Sequence, residues 1–343
     1  MFTPFGFFLL LAFAAAYITF RMEYRHREAA GIIQSFAGPA RVVHPVIWGL
    51  LGFAAGAKLV YWWLHRSLFI GTPQDFIFST RGNWIAGLVA GLVVWFIARR
   101  QSPASGGREP MHPYQLMDYL LLYCGLFGFG GAILFATLEG HFTDGRLFNG
   151  LNYYGALIAG ALTYLYINKR YGIRPAIAAD IGSPGMMLAY AVGRMGCHVA
   201  GDGDWGIIND QPRPAWLPQW LWASYYPHNS VHQGIYIPGC TGSHCTILQA
   251  PVFPTPLYEA IICFCLFLLL WRLRRSIKKP GILFAYFAIL NGAERFFIEF
   301  IRINPRYHIG YWKLSQAQLL ALGWLFTGLI VLLLSARKTG IRN

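Results

Sequence analysis

The sequence predicts an all-α integral membrane protein, a single polytopic domain over residues 1–343 with about nine transmembrane helices. Of its 343 residues, 56% are apolar and 12% are charged, whereas soluble proteins have roughly 45–50% apolar and roughly 25% charged residues. The apolar residues occur in blocks of about 16 to 22, a length that crosses a bilayer as a helix. This composition excludes disorder, collagen and a coiled coil.

Nine apolar segments are candidate membrane spans. They lie near residues 4–20, 46–64, 84–98, 118–137, 152–167, 176–199, 257–271, 281–300 and 316–335. The sixth span contains Asp180, Ser183, Pro184 and Arg194. Because polar groups are costly in hydrocarbon, we expect this span to face protein or water rather than lipid.

The basic residues predict the orientation. Lys and Arg number 18 in one set of loops and 7 in the alternate set. The richer set comprises loops 21–45, 99–117, 168–175 and 272–280 and the tail after 335. Because basic loops remain in the cytoplasm, the N-terminus is predicted outside and the C-terminus inside. The net charge of +14 is then explained by topology and anionic lipid, and no nucleic acid is expected as a partner.

Two further features concern the organisation of the chain. Residues 46–100 resemble the helix pair at 118–170, since both contain Gly-x-x-Gly-Phe and an Asn-led, Gly-rich helix followed by basic residues. We interpret 46–100 as an inserted repeat, although small residues recur wherever membrane helices pack closely.

The loop 200–256 is predicted to form an extracytoplasmic cap, in which Cys240 and Cys245 are able to pair in an oxidising compartment.

Ionisable residues within or beside the spans are the first functional candidates, because they are expensive in a membrane. Arg295, Glu299 and Arg302 follow one another at intervals of four and three, which places them on one helix face. Asn291 extends this stripe. The group is either a salt bridge that locks helices together or, through its surplus positive charge, a phosphate site.

A second candidate region runs from Gly193 to Gly206. Its glycines, Gly196 among them, allow a backbone to approach a ligand closely, and four charged or titratable side chains accompany them: Arg194, His198, Asp202 and Asp204. The alternative interpretation is a tight turn that leaves the membrane.

Two shorter regions complete the set. Tyr258 and Glu259 lead into the seventh span, and Asn152 and Tyr154 lead into the fifth. Each is also typical of an aromatic anchor at the membrane surface. All four regions are predicted on the same, non-cytoplasmic side, which indicates one site.

These residues resemble the prolipoprotein diacylglyceryl transferases of bacterial inner membranes over more than half of the chain. Residues 294–302, Glu-Arg-Phe-Phe-Ile-Glu-Phe-Ile-Arg, are similar to the family's R-F-x-x-E-F-x-R helix, and 315–318 to the S-x-x-Q that follows it. Residues 193–196 resemble the family's G-R-x-G, and 254–259 its P-S-Q-L-Y-E. The four motifs keep the family's order.

The chain departs from the family pattern at several positions. Cys197 and Ala200 stand where the family has asparagines. Tyr154 aligns with the histidine that is the family's proposed base, and Phe253 replaces a second histidine. The resemblance therefore indicates a divergent member.

The resemblance implies transfer of a diacylglyceryl group from phosphatidylglycerol to the lipobox cysteine of a prolipoprotein, with release of glycerol phosphate. Arg194, Arg295 and Arg302 would stabilise the leaving group, and Glu299 would orient an arginine. Tyr154, then His198, then Asp202 are the candidate bases. The remaining candidate substrate-binding residues are Gly196, Asp204, Asn152, Tyr258, Glu259, Asn291 and Gln318. No cofactor is implied, and no metal is expected because no cluster has ligand spacing.

The protein substrate would present its signal-peptide helix from the bilayer, and we expect small-residue faces at Gly155–Gly160 and Gly125–Gly131 to admit it. Two other functions stay open. One is a noncatalytic homologue or one with altered chemistry. The other is a phospholipid-binding or flipping protein, for which Lys58 and Asp180 would contribute to a polar path.

Overall fold

The computed structural model describes residues 4–37, 43–65, 82–101, 110–143, 152–242, 244–309 and 312–340. This part of the chain is mostly helical. Its helices are α1 (Pro4–Ala29), α2 (Val43–Leu64), α3 (Trp84–Gln101), α4 (Leu116–Thr143), α5 (Tyr153–Arg170), α6 (Pro175–Ala200), α7 (Gln219–Trp222), α8 (Thr255–Leu273), α9 (Ile282–Ile298) and α10 (Gln316–Gly340). Short antiparallel pairs join β1 (Phe36–Ala37) to β2 (Pro110–Met111), β3 (Ile235–Tyr236) to β4 (Thr246–Ile247), and β5 (Arg306–Ile309) to β6 (Trp312–Ser315).

Each predicted span overlaps one of the long helices. Among the described residues, four segments are long and apolar enough to cross a membrane: Phe5–Ala29, Pro113–Leu138, Thr255–Leu273 and Gln316–Ser335. The protein is therefore an α-helical membrane protein, as the composition predicts. The count of nine spans stays a prediction.

The described part of 35–112 forms one compact unit. In it, α2 packs against α3 through small residues. A β-carbon on Gly56 would overlap that of Ala90, and one on Gly52 would lie 2.9 Å from the β-carbon of Val94. Glycine at these positions lets the two helices approach closely, as is common in membranes.

The second unit comprises the described parts of 3–34 and 113–343. In this unit α1 packs on α6, α4 on α5, α6 on α8, and α9 on α10. Its buried apolar core includes Met187 of α6, Cys263 and Leu270 of α8, and Leu283 and Phe287 of α9. These three helices carry most of the candidate site.

Small residues also bring α4 and α5 together. A β-carbon on Gly155 would overlap the backbone oxygen of Gly131, and one on Gly131 would lie 2.5 Å from the β-carbon of Ala159. Gly131, Gly155 and Ala159 therefore hold α4 against α5. A β-carbon on Gly125 or Gly130 would meet nothing within 4 Å, and admission of a signal peptide at these small-residue faces stays a prediction.

The polar residues of α6 have structural roles at its buried face. Asp180 is fully buried, and its two carboxylate oxygens accept hydrogen bonds of 2.8 Å from the backbone N–H groups of Gly281 and Phe284. Asp180 thus satisfies orphan donors at the start of α9. Ser183 donates to the carbonyl oxygen of Ala179, at 2.7 Å. The span faces protein, as its composition predicts.

A buried ion pair links α1 to the end of α8. Arg274 pairs with Glu23, and Nε of Arg27 lies 3.7 Å from Oε2 of the same glutamate. All three side chains are buried. These residues lie near the end of α1 and just after α8, so they hold together the end of the bundle where α6 begins.

The segment 200–256 is ordered around a small core of Trp205, Tyr226 and Val252. Cys240 and Cys245 form a disulfide bond, the pairing that the sequence allowed. The cap therefore has its own packing and cross-link and is not a simple linker.

Candidate active site

Charged side chains from three helix ends meet in one cluster. The C-terminal part of α6 contributes Arg194, the N-terminal part of α8 contributes Glu259, and the end of α9 contributes Arg295. Glu299 begins the 3₁₀ helix Glu299–Ile301 that follows α9, and Arg302 comes directly after it. Asp204, in the turn after α6, completes the set. We call these six residues the ion cluster.

Glu259 lies at the centre of the ion cluster and is fully buried. Its carboxylate is 3.0 Å from Nε of Arg194 and 2.5 Å from Nη1 of Arg295. Nη1 of Arg302 lies 3.3 and 3.2 Å from its two oxygens. One carboxylate thus fixes three guanidinium groups through charge-assisted hydrogen bonds.

Asp204 bridges two of the same arginines from the outer side. One of its oxygens pairs with Arg194 and the other with Arg302. Its side chain is 36% exposed, whereas that of Arg302 is 3% exposed. Burial acts to raise the pKa of Asp204, but the neighbouring charges of Arg194 and Arg302 outweigh it and hold that pKa below its usual value.

Glu299 orients two arginines that are close to it in the chain. Its Oε2 lies 3.2 Å from Nη2 of Arg295 and 3.8 Å from Nε of Arg302. Asn304 donates to Oε1 of Glu299 at 2.6 Å. The spacing of four and three therefore brings these residues together, as the sequence predicts.

The charge balance of the ion cluster differs from the sequence expectation. The motif alone predicts a surplus positive charge, because two arginines flank one glutamate. The folded chain adds Arg194 together with Glu259 and Asp204, so that three guanidinium groups meet three carboxylates. The expected surplus was wrong, because buried guanidinium groups need counter-charges once they leave water.

Backbone contacts hold the ion cluster in place. The N–H of Ile207 donates to the carbonyl of Ile301 at 2.8 Å, and the N–H of Gly206 donates to that of Phe253, also at 2.8 Å. A β-carbon on Gly206 would lie 2.6 Å from the oxygen of Ile301, so this close approach requires glycine. The hydroxyl of Thr255 donates to the carbonyl of Asp204. The chain segments that carry Asp204, Glu259 and Arg302 are thus joined.

Several predicted binding residues make other contacts. Nδ1 of His198 lies 3.0 Å from the hydroxyl of Tyr226 in the cap, whose pKa burial raises. Asp202 accepts a 3.3 Å hydrogen bond from the backbone N–H of Asp204 and shapes the turn. A β-carbon on Gly196 would lie 2.7 Å from that of Phe8, so glycine at this position allows α1 to pack closely against α6. Its contact with substrate stays a prediction.

Three more of the predicted binding residues lie at helix ends and make structural hydrogen bonds there. Asn152 caps α5, because its Oδ1 accepts a 3.0 Å hydrogen bond from the N–H of Gly155. Gln318 and Ser315 exchange hydrogen bonds of 3.0 and 3.2 Å, a capping box that starts α10. The hydroxyl of Tyr258 donates to the carbonyl of Leu221 at 2.6 Å and ties α8 to the cap.

Two predicted residues lie outside the contacts that define the ion cluster. Tyr154 is partly buried in the first turn of α5. Asn291 is partly buried on α9, one turn before Arg295. Their roles as base and substrate contact stay predictions.

The sequence interpretation missed three neighbours of the ion cluster. The guanidinium carbon of Arg194 lies 5.0 Å from the ring centre of Tyr190, one helical turn earlier. Asn304 binds Glu299, as described above. Glu294 is buried beside Arg295. The contact of Tyr190 with Arg194 follows from their spacing of four residues on one helix, so the sequence could have predicted it. The contact of Asn304 with Glu299 depends on how the chain turns after the 3₁₀ helix, which no local pattern indicates.

One group among the described residues has ligand atoms close enough for a metal ion: Cys197, Asp202 and Asp204, within 4.8 Å of one another. Two arginines already occupy both oxygens of Asp204. Positive charge so close opposes a cation, so these residues do not fit a metal site.

The fold and the site define a polytopic membrane protein with a buried cluster of arginines and carboxylates at one end of its helix bundle. A model of the prolipoprotein diacylglyceryl transferase family matches residues 83–334, a region that includes all six residues of the ion cluster. The chain belongs to this family.

Curated relatives agree with this assignment. The phosphatidylglycerol–prolipoprotein diacylglyceryl transferase of Cutibacterium acnes is 29% identical over 265 residues, which cover 73% of this chain and 79% of that protein. The enzyme of the same name from Leptospira interrogans is 28% identical, with 52% of each chain covered. That of Clostridium tetani is 31% identical over 53% of this chain and 63% of its own length.

Proposed function

We propose that this protein transfers the diacylglyceryl group of phosphatidylglycerol to the cysteine thiol of a prolipoprotein. A thioether bond forms between the sulfur and the glycerol carbon, and the bond from that carbon to the phosphate oxygen breaks. The electron pair leaves with glycerol phosphate, and the thiol proton passes to a base. The ion cluster, in a chain of this family, is the observation that carries the proposal.

The arginines divide into two roles according to their exposure. Arg295 and Arg194 are 20% and 14% exposed, so their remaining N–H groups are available to a phosphate at the cluster surface. Arg302 is 3% exposed and acts through its neighbours as a positioning residue. Fixed donors aimed at a leaving phosphate stabilise the charge that develops there.

Asp204 is the carboxylate that a phosphate would meet first. It is the most exposed carboxylate of the ion cluster, and it holds guanidinium groups of Arg194 and Arg302. The buried Glu259 keeps all three arginines in position when a substrate phosphate competes with Asp204. The neutral cluster therefore accepts an anion without losing its internal counter-charge.

Activation of the thiol is the step where this chain departs from the family pattern. Tyr154 stands in the place of the family's histidine, and it is our first candidate for the base. His198 and Asp202 follow, but each already has a contact within the cap or the turn. A thiol beside arginines has a lowered pKa, which reduces the demand on any base.

We place the protein in the bacterial cytoplasmic membrane, with nine spans, the N-terminus outside and the C-terminus inside. The ion cluster then faces the extracytoplasmic side. The disulfide in the cap supports this orientation, because such bonds persist in oxidising compartments. Phosphatidylglycerol and a signal peptide with its lipobox cysteine would reach the site from the bilayer. The segment 46–100 is an inserted repeat in this proposal.

Glycerol phosphate release tests the proposal directly. The purified chain is reconstituted into phosphatidylglycerol vesicles with a synthetic lipobox peptide, and both glycerol phosphate and thioether-linked peptide are measured. We expect both products from the intact chain and from Arg306→Gln, a control on an exposed arginine outside the cluster. Arg295→Gln should lower both by at least tenfold. Absence of both products from the folded intact chain contradicts the proposal.

A noncatalytic homologue is the second candidate, favoured by Cys197 and Ala200 in place of the family's asparagines. It predicts phosphatidylglycerol binding without product. The role of Asp180 as a helix cap removes it from the polar path that a flipping protein would need.

A further inference from the structure

We propose that a groove between α4 and α5 binds one anionic phospholipid, at a site separate from the ion cluster. The groove has a volume of about 540 Å³, within the ~300–1,000 Å³ of small-molecule sites. Its walls are formed chiefly by Tyr119, Tyr123 and Phe127 of α4 and by Leu162, Tyr166 and Arg170 of α5.

The groove changes from polar to apolar along its length. Tyr119 and Phe127 are eight residues apart on α4, or about 12 Å along the helix axis. The end beside Tyr119 also contains Arg170 and Tyr171, whereas the end beside Phe127 contains Leu162. A phospholipid has the same polarity, with an anionic head and an apolar chain.

The polar end favours a negative charge. Arg170 is exposed at the last residue of α5. Asp118, the acidic residue next to Tyr119, accepts a 2.7 Å hydrogen bond from Tyr17 of α1 and so faces that helix. A basic side chain between membrane helices is a recurrent binding feature for anionic headgroups.

The apolar end is suited to an acyl chain. The rings of Tyr123 and Phe127 stack with centres 6.4 Å apart and form one wall. Leu162 and Tyr166 are 63% and 67% exposed on the other wall. Thr163, which also lines the groove, donates its hydroxyl to the carbonyl of Ala159, so this donor is already satisfied.

The groove is distinct from the proposed catalytic site. Its polar end lies where α5 leads into α6, while Arg194 lies 19 residues further along α6, roughly 30 Å away along the axis. The headgroup would therefore sit at the opposite end of the bundle from the ion cluster. The inference does not depend on catalysis.

Photolabelling of the intact chain in lipid nanodiscs tests this site. Phosphatidylglycerol and phosphatidylcholine analogues carry the same photoreactive acyl chain, and labelled peptides are mapped. We expect phosphatidylglycerol to label the 119–127 and 162–171 segments about fivefold more than phosphatidylcholine, given one basic contact. Arg170→Gln should remove this preference, whereas Lys169→Gln, its exposed neighbour outside the groove, should keep it.

A second variant addresses the apolar end. Leu162→Trp fills the groove and should lower labelling by both lipids. Equal labelling by the two lipids in the intact chain, or equal effects of the two basic substitutions, overturns the proposal in favour of ordinary boundary lipid. Suppression of phosphatidylglycerol labelling by dissolved glycerol phosphate also overturns it, because that result indicates a site for free phosphate compounds and not for a lipid. Photolabelling does not require catalysis, so a failure of this proposal is distinguishable from a failure of the transferase assay.

Discussion

Nη1 of Arg302 lies 3.2 Å from Oε2 of Glu259, although 43 positions separate the two residues in the chain. This contact joins the start of α8 to the end of α9, and Glu259 also binds arginines on α6 and α9. The buried glutamate is therefore the common counter-ion of the proposed active site.

Replacing Glu259 with Gln should destabilise the protein strongly. The substitution leaves three guanidinium groups facing a neutral amide, and loss of one partner from a buried ion pair costs about 3–5 kcal/mol. Thermal unfolding in detergent measures the effect. Glu299→Gln is the matched control and should cost less, because its carboxylate contacts two arginines and not three. Equal unfolding temperatures for Glu259→Gln and the intact chain would show that the ion cluster does not stabilise the fold.

Asp204 should make stability depend on pH at the acidic end. Its pKa is lower in the folded chain than the ordinary value of about 3.9. The stabilisation is then fully present above about pH 4 and is lost as the pH falls through the lower folded value. Unfolding temperatures between pH 3 and 7 should fall less steeply for Asp204→Asn than for the intact chain. Asp210→Asn, exposed in the same loop, should keep the normal profile, and a normal profile for Asp204→Asn would refute the assignment.

Gln318→Ala should lower stability by about 1 kcal/mol, because it removes a capping interaction at the start of α10. Gln316 is exposed two residues earlier on the same helix, so Gln316→Ala is the control and should change little. Denaturation of both variants measures the difference. If they unfold alike, the capping box contributes nothing.

His198 and Tyr226 should be energetically coupled. Their 3.0 Å contact predicts that Tyr226→Phe and His198→Phe are non-additive, by about 0.5–1.5 kcal/mol in a double-mutant cycle. The cycle is measured by thermal unfolding of the four proteins. Additive effects would contradict this coupling and would strengthen His198 as a candidate base.

Local patterns in the sequence predicted much of the fold and part of the site. Helix periodicity predicted that Arg295 and Glu299 meet, because spacing along one helix is fixed by its geometry. Arg302 has an extended backbone just after the 3₁₀ helix and reaches Glu299 from there. The pairing of Glu259 with these arginines depends on how separate helices pack, which no local pattern specifies. The expected surplus of charge was wrong for that reason.

Two predicted binding residues also have a local structural role that the sequence indicates. The pattern from Ser315 to Gln318 fits a capping box, and Asn152 precedes a helix in the position of an N-cap. Gln318 was predicted as a binding residue from the family resemblance and Asn152 from its place at the start of the fifth span, and both assignments stay predictions. Asp202 and Asp204 are chemically alike, and the turn after α6 decides that Asp204 reaches Arg194 and Arg302.

Complementation tests the central claim most directly. A bacterial strain depleted of its own diacylglyceryl transferase receives the intact chain, Arg295→Ala or Tyr154→Phe, and lipoprotein acylation is read by gel shift at matched expression. We predict that the intact chain restores acylation, that Arg295→Ala does not, and that Tyr154→Phe is impaired because its phenol is the proposed base. Full acylation with Arg295→Ala, or none with a well-inserted intact chain, would contradict the assignment of the ion cluster as a diacylglyceryl transferase site.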